Sequence, residues 1–173
     1  AEGSLKRLGT EYLDALLLHR PDALMEPDEI FAAFDELYRS GKVRQFGVSN
    51  FSVSQTRLLE GGRYPIAANQ LQFSLMHAGM VDEGLNVNMA KAESVERGGE
   101  VLDYCRLKNI TVQAWSPLNY GMFEGIFVGN DKFPELNKEL SRLAEKYGCA
   151  PSAVAFAWIL RHPANMQVVL GTT

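Results

Sequence analysis

The sequence predicts an α/β fold in which parallel strands alternate with helices in the manner of a β/α barrel. Three observations carry this expectation. Five short runs are apolar without strict alternation: Tyr12 to Leu18, Val43 to Val48, Ala67 to Phe73, Thr111 to Trp115, and Gln167 to Leu170. Strands covered by helices on both faces have that pattern. Helical segments separate the runs, with roughly 25 to 50 residues from strand to strand, enough for one crossover helix each. Strand, helix, strand in repetition gives a parallel sheet with right-handed crossovers. Finally, no GxGxxG or GxxxxGK[ST] follows any run, which removes the fingerprint of a doubly wound nucleotide fold and favours a barrel.

The helices follow from spacing and stop signals. Ser4 to Leu8 carries apolar residues three apart, and Gly9 follows as a C-terminal stop. Glu26 to Ser40 places Ile30, Phe34 and Leu37 at helical spacing before Gly41. Ser52 to Leu59 opens on a residue able to cap a helix, with Leu58 and Leu59 on its apolar side. Glu96 to Lys108 has Val101, Leu102, Cys105 and Leu107 as its apolar side. Leu136, Leu140, Leu143 and Tyr147 mark a further helix closed by Gly148, and Pro151 opens the last, Ser152 to Arg161. The stretch from His77 to Gly99 is glycine-rich and aperiodic, and reads as an active-site loop after the third strand, with a surface insertion as the alternative.

Composition narrows the partners. At 46% hydrophobic and 22% charged over 173 residues, the chain lies within globular proportions. A formal charge of −4 argues against nucleic acid or an anionic membrane as the main partner. No apolar run approaches the ~18 residues of a membrane helix, and no signal-peptide pattern opens the chain. Cys105 and Cys149 lack CxxC or Cys/His spacing, which predicts buried free thiols in a reducing, cytoplasmic setting and no structural zinc.

Chemistry in a barrel sits at the C-terminal ends of the strands. The first run ends in His19-Arg20-Pro21-Asp22 and the second in Ser49-Asn50. The third presents Asn69, Gln70 and Gln72, the fourth ends in Trp115-Ser116-Pro117, and the fifth runs into Gly171-Thr172-Thr173. Amides and hydroxyls without a carboxylate cluster suit orientation of a neutral polar group such as a carboxamide. Trp115 is placed to stack on an aromatic ring, and Gly171 and Thr172 to meet a phosphate.

These segments carry a resemblance. Leu5-Lys6-Arg7-Leu8-Gly9-Thr10-Glu11-Tyr12-Leu13-Asp14 and Leu17-Leu18-His19-Arg20-Pro21-Asp22 are followed by Ser40-Gly41-Lys42-Val43-Arg44-Gln45-Phe46-Gly47-Val48-Ser49-Asn50-Phe51. Asn69-Gln70, Ala114-Trp115-Ser116-Pro117-Leu118, Leu143 to Gly148, Ala157-Trp158-Ile159-Leu160 and Val169-Leu170-Gly171-Thr172 complete the order. Together they resemble the aldo-keto reductase family, and within it the bacterial oxidoreductases with Leu-His-Arg-Pro-Asp after the fourth barrel strand. The resemblance implies a (β/α)8 barrel reducing aldehydes and ketones with NADPH, without metal or flavin. It implies His19 as the catalytic histidine that contacts the small carbonyl substrate. Ser49, Asn50 and Gln70 correspond to the holders of the nicotinamide carboxamide, and Trp115 to the aromatic residue under the nicotinamide ring. Ser116, Pro117 and Leu118 correspond to the stretch along the pyrophosphate, and Gly171 and Thr172 to the reader of the adenosine 2′-phosphate. Many relatives carry lysine at this last place, so NADH stays open beside NADPH.

The family's catalytic Asp, Tyr and Lys fall on three strands before the histidine, and only eighteen residues precede His19 here. Residues 1–173 are therefore expected to form a single partial barrel, strands four to eight, inactive alone and able to self-associate through open edges. The alternative is a reductase-like module that holds cofactor in a non-catalytic or regulatory role.

Overall fold

The computed structural model describes residues 1–95, 100–122 and 124–171. In chain order the elements are α1 (Glu2–Leu8), β1 (Leu13–Leu18), α2 (Pro27–Arg39), β2 (Val43–Ser49), α3 (Val53–Leu58), β3 (Ile66–Gln72) and α4 (Gly79–Leu85). After a 3₁₀ turn at Ala92–Ser94 come α5 (Val101–Lys108), β4 (Thr111–Trp115), α6 (Pro134–Tyr147), α7 (Pro151–Leu160) and β5 (Met166–Val168). The chain divides into two compact units, Ala1–Gln70 with Arg97–Thr111, and Leu71–Glu96 with Val112–Thr173.

In the first unit β1, β2 and β3 pair in sequence order, all parallel. Sequence-ordered parallel strands joined by helices are what a β/α barrel builds. Local chemistry sets the joints. Gly9 closes α1 at φ 64, a left-handed turn that glycine adopts without a side-chain penalty. Pro27 starts α2, with Asp28 and Glu29 in its first turn and Arg39 in its last, matching the helix dipole. Ser52 and Gln55 form a reciprocal capping box on α3: Ser52 Oγ accepts from the Gln55 N–H at 3.3 Å, and Gln55 Oε1 from the Ser52 N–H at 2.9 Å. Phe34 of α2 stacks on Phe46 of β2 with centroids 3.9 Å apart, and Leu5, Leu13 and Val43 complete the buried cluster.

In the second unit β4 and β5 pair in parallel, Val112 with Met166 and Ala114 with Val168. Phe127, Leu140 of α6 and Ala155 of α7 form its core cluster, with Leu118, Phe133 and Leu136 packed against it. Pro134 and Pro151 open the two helices, and Gly148 closes α6 at φ 63.

Several expectations need correction. Burial on both faces holds for Phe46 to Ser49 of β2, but in β1 only Leu13 is buried. Within its unit β1 pairs on one side, with β2, and Asp14 is exposed and paired to Arg44 at 3.2 Å. Cys105 is buried, whereas Cys149, in the link after Gly148, is exposed; both are free thiols. Leu107 is 84% exposed because ~100° per residue carries it to the side opposite Val101, Leu102 and Cys105. Leu58 and Tyr147 are also exposed, the first off the buried side of α3 and the second at the end of α6. The helix expected from Glu96 starts at Val101, preceded by Glu100 at φ 57, and residues 96–99 lie outside the described set. Inside the expected loop from His77 to Gly99, α4 and the 3₁₀ turn are formed. The last strand is Met166–Val168, displaced toward the N-terminus of the predicted run. No helix among the described residues is long and apolar enough to cross a membrane.

A titratable cluster ties α5 to the turn after α3. The buried Tyr104 hydroxyl donates to Glu60, whose carboxylate also meets Lys108 Nζ at 2.9 Å. Burial first, then the bond to Glu60, pushes Tyr104 from 10.0 to about 12. Burial pushes the Cys105 thiol from 9.0 to about 12. Both groups hold their protons more tightly folded than unfolded, so their contribution is complete below the unfolded values and is lost as pH rises through the folded ones. The urea midpoint is expected to fall between pH 9 and pH 12, with Tyr104→Phe removing the part of the decline that begins at pH 10. A midpoint flat across that window would contradict the assignment.

Candidate functional site

The polar groups of the first unit are brought together by a strand irregularity. Phe46 pairs with Ile66 and Val48 with Asn69, so two steps along β2 correspond to three along β3. The extra residue in β3 changes which side chains meet. In regular register Ser49 would face Asn69; with the bulge it faces Gln70. Gly47 makes this possible, because a Cβ there would lie 2.7 Å from the Ala68 carbonyl oxygen and 3.1 Å from Leu17 Cγ.

A compact network follows at the strand ends. Ser49, 2% exposed, donates its hydroxyl to the Gln70 carbonyl at 3.0 Å and accepts from Asn50 Nδ2 at 2.8 Å. The Asn50 N–H donates to the same Gln70 carbonyl at 3.0 Å. Asn50 takes φ 58, a left-handed conformation that asparagine tolerates better than most residues and that ends the strand abruptly. Asn69, 1% exposed, donates from Nδ2 to the Phe51 carbonyl at 2.9 Å and so pins the turn that carries Asn50. Its Oδ1 is buried without a hydrogen-bond partner among the described residues, at a cost of about 1–3 kcal/mol. His19 stands exposed immediately after β1.

The second unit holds a cavity of about 410 Å³. Ser116, Pro117, Leu118 and Gly171, all singled out from the sequence, line it. Ser116 follows β4 at φ 50, a second non-glycine residue held left-handed at a strand end. Trp115, the last residue of β4, is half-buried, and its carbonyl accepts from the Phe73 N–H at 3.4 Å. Thr172 lies outside the described residues.

The cavity also has walls that sequence reasoning missed: Asn119 and Ile126 from the segment after β4, Ser152 and Phe156 of α7, and Val169 and Leu170 after β5. Ser152 and Phe156 are four apart and so share a face of the helix, but Pro151–Leu160 is small or apolar throughout and offers no polar contrast to reveal it. Among the described residues, no lining residue is charged. An anion there would be met by the hydroxyls of Ser116 and Ser152 and by the positive end of α7, whose first turn contains Ser152.

Parallel strands in sequence order, with hydroxyl and amide groups gathered at their C-terminal ends, define a β/α-barrel architecture. The family model described as "Aldo/keto reductase family" matches residues 1–173, and the chain belongs to that family. It is 36% identical over 173 residues to a 6-dehydroglucose reductase of Agrobacterium fabrum, covering 99% of this chain and 51% of that protein. It is 37% identical over 175 residues to the oxidoreductase YdhF of Escherichia coli, covering 99% and 52%. The chain thus spans about half the length of the curated relatives it matches. In fold it matches a thermostable aldo-keto reductase in complex with the inhibitor epalrestat, with TM-score 0.69, 26% identity, and 99% and 54% of the two chains covered. An aldo/keto reductase from Klebsiella pneumoniae in complex with NADP and acetate matches with TM-score 0.68 at 23% identity, covering 99% and 52%. The five parallel strands are accordingly part of a (β/α)8 barrel of this family.

Gly47→Ala is expected to destabilise the chain by about 1–3 kcal/mol, since a backbone carbonyl cannot swing aside as a side-chain tip can. Gly61→Ala, where an added Cβ meets nothing within 4 Å, serves as the neutral control. Equal urea midpoints for the two variants would rule out the close approach as the constraint on register.

Proposed function

We propose that the chain supplies the cofactor-binding half of an NADPH-dependent reductase that converts aldehydes or ketones to alcohols. The observation that carries this reading is the Ser49–Asn50–Gln70 network at the ends of β2 and β3: the Ser49 hydroxyl and the Asn50 N–H donate to the Gln70 backbone carbonyl, and the Asn50 carboxamide donates to Ser49 Oγ. A carboxamide ligand needs both a donor and an acceptor, and Asn and Gln side chains provide both. The presence of NADP or NADPH in fold neighbours from Klebsiella pneumoniae supports the choice of cofactor.

The residues divide the task. Ser49, Asn50 and Gln70 orient the nicotinamide carboxamide, and Trp115 offers its ring to the nicotinamide face. Ser116, Pro117 and Leu118 take the pyrophosphate stretch, and Gly171 with Thr172 the adenosine phosphate end. Gly171 stands where many relatives carry lysine, which leaves room for NADH beside NADPH. The bound reduced nicotinamide supplies a hydride to the carbonyl carbon. His19, at the exposed end of β1, donates an imidazole N–H to the substrate oxygen and fixes its direction.

None of the six tyrosines stands at the C-terminal end of a strand. Tyr12 precedes β1, Tyr64 precedes β3, Tyr38, Tyr104 and Tyr147 lie in helices, and Tyr120 follows β4 by several residues. A proton donor beside the carbonyl contributes ~10²–10⁴-fold to such a reaction. We therefore propose that these 173 residues bind cofactor while turning over no carbonyl compound unaided.

Titration with NADPH is expected to quench tryptophan emission saturably, and Trp115→Phe to remove most of the quench and weaken binding about fivefold, the scale of an aromatic stacking contact. Trp158 remains in the variant as an internal reference. Absence of saturable binding by a chain with native circular dichroism would overturn the cofactor reading.

A further inference from the structure

We propose that Asn137 is a positioning residue of the dinucleotide site: from α6 it fixes the loop that braces Ser116–Leu118 and walls the 410 Å³ cavity. The inference rests on the cofactor reading above and extends it to a residue that touches neither the cavity nor the strands.

The Asn137 side chain is devoted to one loop. Oδ1 accepts from the Gly129 N–H at 2.7 Å. Nδ2 donates toward the carbonyls of Phe127 at 2.8 Å, Phe133 at 3.0 Å and Asn130 at 3.1 Å. Two amide hydrogens shared among three acceptors leave the group fully engaged. Gly129 takes φ 73 in this loop, where a side chain would be strained. Asparagine is a mediocre helix former, so its place within α6 is explained by the loop and not by the helix.

The hold passes to the site through Phe127. This residue is fully buried; its carbonyl is bound by Asn137 and its N–H donates to the Leu118 carbonyl at 2.9 Å. Its neighbour Ile126 lines the cavity and bridges antiparallel to Asn119, another wall residue. The Asn119 N–H in turn donates to the Ser116 carbonyl at 3.1 Å, closing the turn that keeps Ser116 left-handed. The path from α6 to Ser116 thus starts at the Asn137 side chain and continues through backbone hydrogen bonds, with Asn130 Nδ2 on the Ile126 carbonyl at 3.1 Å as a second brace. Without that anchor the Gly129 N–H loses its partner. The carbonyls of Phe127, Asn130 and Phe133 keep only the backbone N–H of Asn130, Phe133 and Asn137, at 3.2, 3.0 and 3.0 Å, and the wall formed by Ile126 and Asn119 loosens.

Two variants test this, with NADP⁺ as the probe because the oxidised form survives acid. Asn137→Ala is expected to weaken binding about tenfold, the scale of one lost hydrogen bond. It is also expected to abolish amide-exchange protection at Phe127 while leaving that of Val112, bonded to Asn165 across β4 and β5, in place. Asn137→Asp keeps shape and the Gly129 acceptor but turns an oxygen toward three carbonyls. A carboxylate so placed is favoured in its neutral form, and protonation restores one donor. Its affinity relative to the unsubstituted chain is therefore expected to rise as pH falls from about 7.5 to about 5, the unsubstituted chain correcting for the cofactor's own phosphate. Unchanged affinity in both variants overturns the inference alone. So does weakened binding with Phe127 still protected, or a ratio for Asn137→Asp that ignores pH. An unsubstituted chain that binds no NADP⁺ overturns the cofactor reading and this inference with it.

Discussion

The close approach of Gly47 to the Ala68 carbonyl is the constraint on which the first half of the site depends. A Cβ at 2.7 Å from that oxygen cannot be accommodated, and the residue next to it on the other strand, Leu17, closes in to 3.1 Å. With hydrogen in that place, β3 carries one residue more than β2 and Gln70 comes level with Ser49. The Ser49 hydroxyl and the Asn50 N–H then converge on one carbonyl, that of Gln70. A Cβ at Gly47 would force β2 and β3 apart at the point that sets this register.

Each unit reaches its polar end by the same device. A strand finishes, and the next residue is a non-glycine held at positive φ: Asn50 at 58 after β2, Ser116 at 50 after β4. Such conformations cost roughly 1–3 kcal/mol and persist only where the surroundings over-determine them. In the first unit the surroundings are Asn69 on the Phe51 carbonyl. In the second they are Asn119 on the Ser116 carbonyl and Phe127 on that of Leu118, anchored through Asn137. An amide side chain binding backbone carbonyls, the buried Asn69 in one unit and the half-buried Asn137 in the other, is thus the means by which each strand end keeps its shape.

The elements were legible where local chemistry is decisive. Thr111–Trp115 coincides with its apolar run, and Gly9 and Gly148 stop their helices as left-handed caps. Ser49, Asn50, Ser116 and Gly171 stood out because polar residues there interrupt apolar strands, and Ser116 and Gly171 meet at one cavity. What pairing and packing decide was hidden. Nothing in Ala67-Ala68 announces a bulge, because the cause sits on another strand at Gly47. Asn137 looks like any polar residue on a surface helix until the loop at 127–133 folds over it. Leu107 and Cys149 read as core by type, yet helix phase and a linking turn put both outside.

The central proposal is that the strand-end groups of each unit, taken separately, contact NADP⁺. Two-dimensional ¹⁵N spectra of the 173-residue chain with and without NADP⁺ test it most directly. The account predicts shifts of the Asn50 and Gln70 side-chain amides together with the backbone amides of Ser116 and Gly171. It also predicts that Gly47→Ala removes the first pair of shifts while sparing the second. Shifts confined to one cluster, or lying elsewhere on the chain, would contradict it.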